Sequence, residues 1–135
     1  MRNSNKKVAT WIILFASAML CFGQTAAKRG TWDKSKQCAD QAAKVMADAH
    51  TPSDGEYYNW NNHYSPKYNR CFIEIRLISD KPLIVNISTE LQDAFERRRL
   101  AYVTNAAIAV PYCNIEGDDV PCPRVRDFIA EHMRN

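Results

Sequence analysis

Glycine is scarce in this chain, with four in 135 residues. That leaves no glycine-rich loop in which backbone N–H groups cradle a phosphate, and neither Gly-x-Ser-x-Gly nor His-Glu-x-x-His occurs. A Cys-x-x-Cys pair is also missing, which excludes a thioredoxin-like redox centre and covalently attached haem. No two cysteines stand two to four residues apart, as a zinc knuckle requires. Histidine is limited to His50, His63 and His132. No metal and no cofactor is expected from such a set. Repeats, low-complexity tracts and interdomain linkers are absent as well.

One long apolar run is present, and it lies at the front. Arg2, Lys6 and Lys7 precede Val8 to Gly23, and Thr25-Ala26-Ala27 supplies small residues for a signal peptidase. This order reads as a secretory signal over residues 1–27, cut after Ala27, with a cut after Gly23 as the alternative. Residues 8–23 are at the short end of a bilayer span and no stop-transfer pattern follows. A lipoprotein acylated at Cys21 is the other membrane option, but Leu20 stands where a lipobox has a small residue. The expected setting is therefore exported, periplasmic or extracellular, with no membrane span after cleavage.

Signal removal changes the charge balance. The chain has 18 Lys+Arg and 15 Asp+Glu; three of the basic residues and none of the acidic ones lie in 1–27, leaving 15 of each. A mature chain of zero net charge lacks the positive field of a nucleic-acid binder. Residues 28–135 suffice for one small domain, which buries only about two thirds of its unfolded surface and gains from covalent staples.

Cys38, Cys71, Cys113 and Cys122 remain after residue 27, an even count in an exported domain, and read as two disulfides. Three pairings exist. Cys38–Cys71 and Cys113–Cys122 is favoured, because Gly117-Asp118-Asp119 is a turn signal that brings Cys113 and Cys122 face to face. Cys38 then ties the first helix to the first strand.

The periodicity predicts an α+β domain. A helix capped at Asp33 or Ser35 runs to about Ala49, with Cys38, Ala42, Val45, Met46 and Ala49 on one side. Tyr57–Asn69 fits neither a helix nor a strand period and reads as an ordered loop with a turn at Ser65-Pro66. Cys71, Ile73, Ile75 and Leu77 alternate with Phe72, Glu74, Arg76 and Ile78, then turn at Ser79–Pro82 into a strand over Leu83–Ser88. Thr89–Arg98 reads as a connector with a helical turn near Leu91–Phe95. Leu100–Thr104 and Tyr112–Ile115 read as strands, and Pro123–Met133 as a closing helix. The expected architecture is an N-terminal helix packed on a three- to four-stranded antiparallel sheet, then a C-terminal helix.

His63-Tyr64-Ser65-Pro66-Lys67-Tyr68-Asn69-Arg70-Cys71-Phe72 resembles a His-Tyr/Phe-x-x-Lys-x-Asn-x-Cys-Phe signature. Leu91-Gln92-Asp93-Ala94-Phe95-Glu96 with Ala101-Tyr102 resembles a second block, Leu-x-Asp-Ala-Phe-Glu followed by Ala-x-Tyr. Both are similar to motifs of small exported bacterial proteins of uncharacterised function, some of them classed as lipoproteins. These also tend to end in a cysteine pair before a helix. The likeness spans most of residues 28–135, although Arg97-Arg98-Arg99 departs from the second block. It implies a bacterial cell-envelope setting and carries no activity with it.

The strongest candidate site is Tyr57–Asn69, with Tyr57, Tyr58, Trp60, His63, Tyr64 and Tyr68 as its binding residues beside Asn59, Asn61, Asn62 and Asn69. Flat aromatic faces and amide groups suit sugar rings and peptide surfaces; the competing reading packs the rings over the sheet and uses the asparagines in turns. A non-enzymatic envelope module binding a protein or glycan is the leading expectation. A small hydrolase using His63 with Glu74, Asp93 or Glu96 is an alternative, and a structural envelope component is another. Arg97-Arg98-Arg99 either touches an anionic surface or forms a solvated corner. Asn86-Ile87-Ser88 matches a glycosylation sequon, relevant only in a eukaryotic secretory path.

Overall fold

Arg70–Ser79 organises the fold, because apolar side chains emerge from both of its faces and each must be covered. The computed structural model describes residues 30–79, 86–106 and 110–134. The expected signal at 1–27 and most of the expected Ser79–Pro82 turn and Leu83–Ser88 strand lie outside these. The chain divides into the units Met1–Lys34 and Ser35–Asn135, and the packing below is that of the second.

Helix α1 covers 30–49. Six strands follow: β1 Glu56–Ser65, β2 Arg70–Ser79, β3 Asn86–Asp93, β4 Arg98–Ala106, β5 Cys113–Ile115 and β6 Asp118–Asp119. Helix α2, Cys122–His132, closes the chain. The strands lie in one sheet in chain order, each antiparallel to the next. The expected α+β class and both disulfides are present, Cys38–Cys71 and Cys113–Cys122.

The strand count differs from the expected three to four for identifiable reasons. Residues 56–65 form a full strand rather than a loop. Their asparagines hide the alternation of Tyr58, Trp60 and Tyr64 on one face against Tyr57, Asn59, Asn61 and His63 on the other. Thr89–Asp93 continues β3 rather than forming a connector, and only residues 94–97 turn. The helix begins before Asp33 and Ser35, so neither is its cap.

Three hairpin turns use left-handed backbone. The β1–β2 turn ends at Asn69 (φ 50°), a residue type that tolerates this region. The β3–β4 turn ends at Arg97 (φ 53°) and is held by buried Asp93, whose Oδ1 accepts the N–H groups of Phe95 and Glu96 at 3.0 Å each. Asp93 Oδ2 receives Arg70 Nη1 at 3.2 Å, which joins the two turns. Between β5 and β6, Glu116 (φ 52°) and Gly117 (φ 97°) make a two-residue turn whose handedness matches the strand twist.

Each face of the sheet carries one helix. On the first, Cys38, Ala42, Val45 and Met46 of α1 pack on Cys71, Ile73, Ile75 and Ala94, with Tyr58, Trp60 and Tyr64 partly buried around them. Gln41 Nε2 donates to the Ala94 carbonyl at 3.0 Å and Arg97 Nη2 to Asp48 Oδ2 at 2.7 Å, holding α1 to the β3–β4 turn. On the second face, Val125 and Ile129 of α2 pack on Phe72, Leu91, Leu100, Ala101, Val103 and Cys113. Fully burying aliphatic side chains of this size contributes about 1.5–3 kcal/mol each. Pro123 in the first turn of α2 removes no intrahelical hydrogen bond there.

Candidate functional site

The expected binding segment is divided between the two faces by its own strand period. Tyr58, Trp60 and Tyr64 of β1 turn toward α1. Asn62 shares that face, its Nδ2 3.8 Å from Cys38 Sγ. Tyr57, Asn59, Asn61 and His63 turn the other way, opposite Ile78, Arg76, Glu74 and Phe72 of β2. Tyr57 is half exposed and Asn59 and Asn61 are exposed.

Tyr68, in the β1–β2 turn, belongs to α2. Its ring stacks on His132 (centroids 4.6 Å apart, planes 8° apart) and meets Phe72 edge-on at 5.9 Å. Its hydroxyl donates to Glu131 Oε1 at 2.8 Å, and Lys67 Nζ reaches the same oxygen at 2.7 Å. The Lys67 ammonium and the Tyr68 hydroxyl hold the Glu131 carboxyl below the usual range, and Glu131 raises Lys67. His132 Nδ1 donates to the Phe128 carbonyl at 2.8 Å, so its ring is fixed within the aromatic cluster. These contacts clamp the C-terminal end of α2 onto the sheet.

Beside the clamped helix lies a groove of about 360 Å³. Glu74 and Arg76 of β2, Thr89 of β3 and Val103 of β4 form its floor; Arg126, Ile129 and Ala130 of α2, with Met133 just past its end, form its wall. Arg76 Nε donates to Glu74 Oε1 at 2.8 Å and Nη2 reaches the same oxygen, so the pair is neutralised within the strand. The register continues the floor outward from Glu74 to Asn61 and from Arg76 to Asn59, with Tyr57 farther along the same face. The result is a shelf of flat, hydrogen-bonding side chains beside a wall of Ile129, Ala130 and Met133 with the Arg126 side chain, an arrangement suited to an extended polar ligand.

His63 stands on this shelf opposite Phe72, its Nε2 buried without a hydrogen-bond partner. The carboxylates considered for it are engaged with arginines: Glu74 with Arg76, Asp93 with Arg70, and Glu96 with Arg70 and Arg98. Among the described residues, no three His, Cys, Asp or Glu side chains gather as metal ligands. Sequence reasoning did not identify Arg76, Thr89 and Arg126 as groove residues. Each is an ordinary surface residue along its own element and they meet only through pairing and helix docking.

Comparison with protein-family models, with curated proteins and with solved structures finds no match to this chain.

Proposed function

We propose that this protein is an exported, non-enzymatic binding module of the bacterial cell envelope that holds a glycan chain on the shelf beside α2. The observation that carries the reading is the row Tyr57, Asn59 and Asn61 along the exposed side of β1, continued on β2 by exposed Arg76 and the largely covered Glu74 that it binds. Planar amides, a guanidinium and a carboxylate match the donors and acceptors around a sugar ring, and an exposed tyrosine offers a stacking surface. Two disulfides support an oxidising compartment. Among the described residues no helix is long and apolar enough to cross a membrane.

The test is retention of the oxidised protein on a panel of insoluble polysaccharides and cell-wall preparations, alongside Tyr57→Ala and Asn59→Ala/Asn61→Ala. Retention lost in both variants at unchanged melting temperature supports the reading. Failure of the wild type to bind any glycan, or equal binding by the variants, overturns it.

A second reading rests on a different observation. β1 is a ten-residue strand at one end of the sheet, with β2 as its only strand neighbour among the described residues. Such an edge suits an extended peptide of a protein partner, added as a further strand. Asn59→Ala/Asn61→Ala, which keeps every backbone donor and acceptor of β1, distinguishes the two: it abolishes side-chain recognition of a glycan and leaves strand addition in place. Hydrolysis at His63 finds less support, because Glu74, Asp93 and Glu96 are all held by arginines.

A further inference from the structure

The opposite face of the sheet holds a second cavity, beyond the C-terminal end of α1. It is about 200 Å³ and is lined by His50, Tyr58, Ile75, Leu77, Ser88, Glu90, Arg99 and Tyr102. Its construction depends on a local irregularity. The β3–β4 register shifts between Leu91 and Gln92, so Leu91 faces Ala101 while Gln92 faces Arg99. Leu100 is the extra residue of this bulge. Leu100 and Ala101, adjacent in sequence, are consequently both buried in the α2-side core. Arg99 and Tyr102, three apart and on opposite sides of a regular strand, both line this cavity, with the guanidinium 4.9 Å from the ring centroid. Bulges recur beside functional sites because they re-aim a side chain in this way.

The arginine run separates into different roles. Arg97 pairs with Asp48, and Arg98 with Glu96 and Glu116. Arg99 has no ion pair among the described residues; its only described partner is the Tyr102 ring. Glu90, directly opposite Tyr102, lines the same cavity without bridging to Arg99, and its carboxylate is oriented by the Gln92 amide. A cation and an anion thus stand apart around one aromatic ring, over an apolar floor of Ile75 and Leu77. The volume is below the roughly 300–1,000 Å³ of pockets for drug-sized ligands.

We propose that this cavity binds a small zwitterion of amino-acid size, its carboxylate on Arg99, its ammonium on Glu90 and its apolar side chain against Tyr58 and Leu77. The guanidinium fork matches a carboxylate bidentately. The inference is independent of the glycan shelf, which lies on the other face.

The experiment is an amide-resolved NMR titration of the oxidised full chain with L-leucine, leucinamide and N-acetylleucine. Leucine is expected to shift the amides around Ser88, Glu90, Arg99 and Tyr102 with a dissociation constant near the millimolar range. Leucinamide, lacking the carboxylate, and N-acetylleucine, lacking the ammonium, are each expected to bind about tenfold or more weakly. Arg99→Gln is expected to weaken leucine to a similar extent while leaving the spectrum elsewhere and the melting temperature unchanged. The ligand series tests the same contacts in the unaltered protein should the variant unfold. No perturbation by leucine at about 20 mM, or equal affinity for all three compounds, overturns the proposal.

Discussion

The two helices cover the same sheet by different means. α1 is joined to β2 by Cys38–Cys71 and presses on the narrow stripe of Cys71, Ile73 and Ile75. α2 is joined to β5 by the short Cys113–Cys122 loop, buries Val125 and Ile129, and is clamped at its far end by Lys67 and Tyr68. One disulfide closes 33 residues of separation and the other closes nine. Each helix leaves part of its face uncovered, and the two open places differ accordingly. A groove of about 360 Å³ runs beside α2, whereas a smaller open cavity of about 200 Å³ sits past the end of α1. α1 is held by its staple, its apolar stripe and the Gln41 and Asp48 contacts to the β3–β4 turn, and the open place lies beyond its last residue; α2 is held at both ends, and the open place lies along its length.

The staples give the largest expected difference. Replacing Cys38 and Cys71 together by alanine is expected to cost about 3–4 kcal/mol, against about 2.5 kcal/mol for Cys113 and Cys122, since closure entropy grows with loop length. Denaturant melts of the two double variants check this, and equal losses would remove the asymmetry between the helices.

The two sides of β1 should separate next. Trp60 packs at the edge of the α1 core, so Trp60→Ala is expected to cost about 2–3 kcal/mol, somewhat below a fully buried tryptophan. Tyr57→Ala, on the exposed shelf, is expected to stay within about 0.5 kcal/mol. Thermal melts decide, and a stable Trp60→Ala protein would show that α1 does not depend on the β1 aromatics.

The clamp on α2 is sharpened by two substitutions at one position. Tyr68→Ala removes the His132 stack and the Phe72 contact and is expected to cost about 2 kcal/mol; Tyr68→Phe removes only the bond to Glu131, at about 0.5–1 kcal/mol. If both cost the same, the hydroxyl rather than the stack holds the helix end.

The smallest effect is one of pH. The Glu131 carboxyl is lowered by Lys67 and then Tyr68, so its contribution is present above the unfolded value, about pH 4.3 for glutamate, and is lost as pH falls through the folded value. Lys67 is raised, so its contribution holds throughout neutral pH and fades only under strong alkali. Both groups are exposed, which keeps the effect small. Titrating Tyr68 and His132 resonances below about pH 4.3 should show the clamp loosening while the α1 core stays unchanged.

Much of the frame was legible in the residues. The spacing of Cys38, Ala42, Val45 and Met46, the alternation along Cys71–Ile78 and the turn at Gly117 led directly to α1, β2 and the Cys113–Cys122 staple, because each signal is local. β1 was hidden because its exposed side is asparagine-rich, although aromatics at positions 58, 60 and 64 carried its period. The end of β3 was hidden because Leu91, Asp93 and Ala94 suit a helical turn as well as a strand. The candidate site was legible only in composition: the segment stood out as rich in aromatics and amides, yet its strand period sends Tyr57, Asn59, Asn61 and His63 to one face and Tyr58, Trp60, Asn62 and Tyr64 to the other.

The sequence alone determined the periods, the turns and a cysteine framework with one favoured pairing, since these depend on neighbours within a few residues. Tertiary structure decided which strand lies at the edge, which aromatics are buried under α1, and how Tyr68 comes to hold α2. It also decided that Arg99, unlike Arg97 and Arg98, faces a cavity. Side-chain direction in a sheet follows cross-strand register, and one inserted residue opposite Leu91/Gln92 reverses it. No local pattern in Arg97-Arg98-Arg99 encodes that reversal.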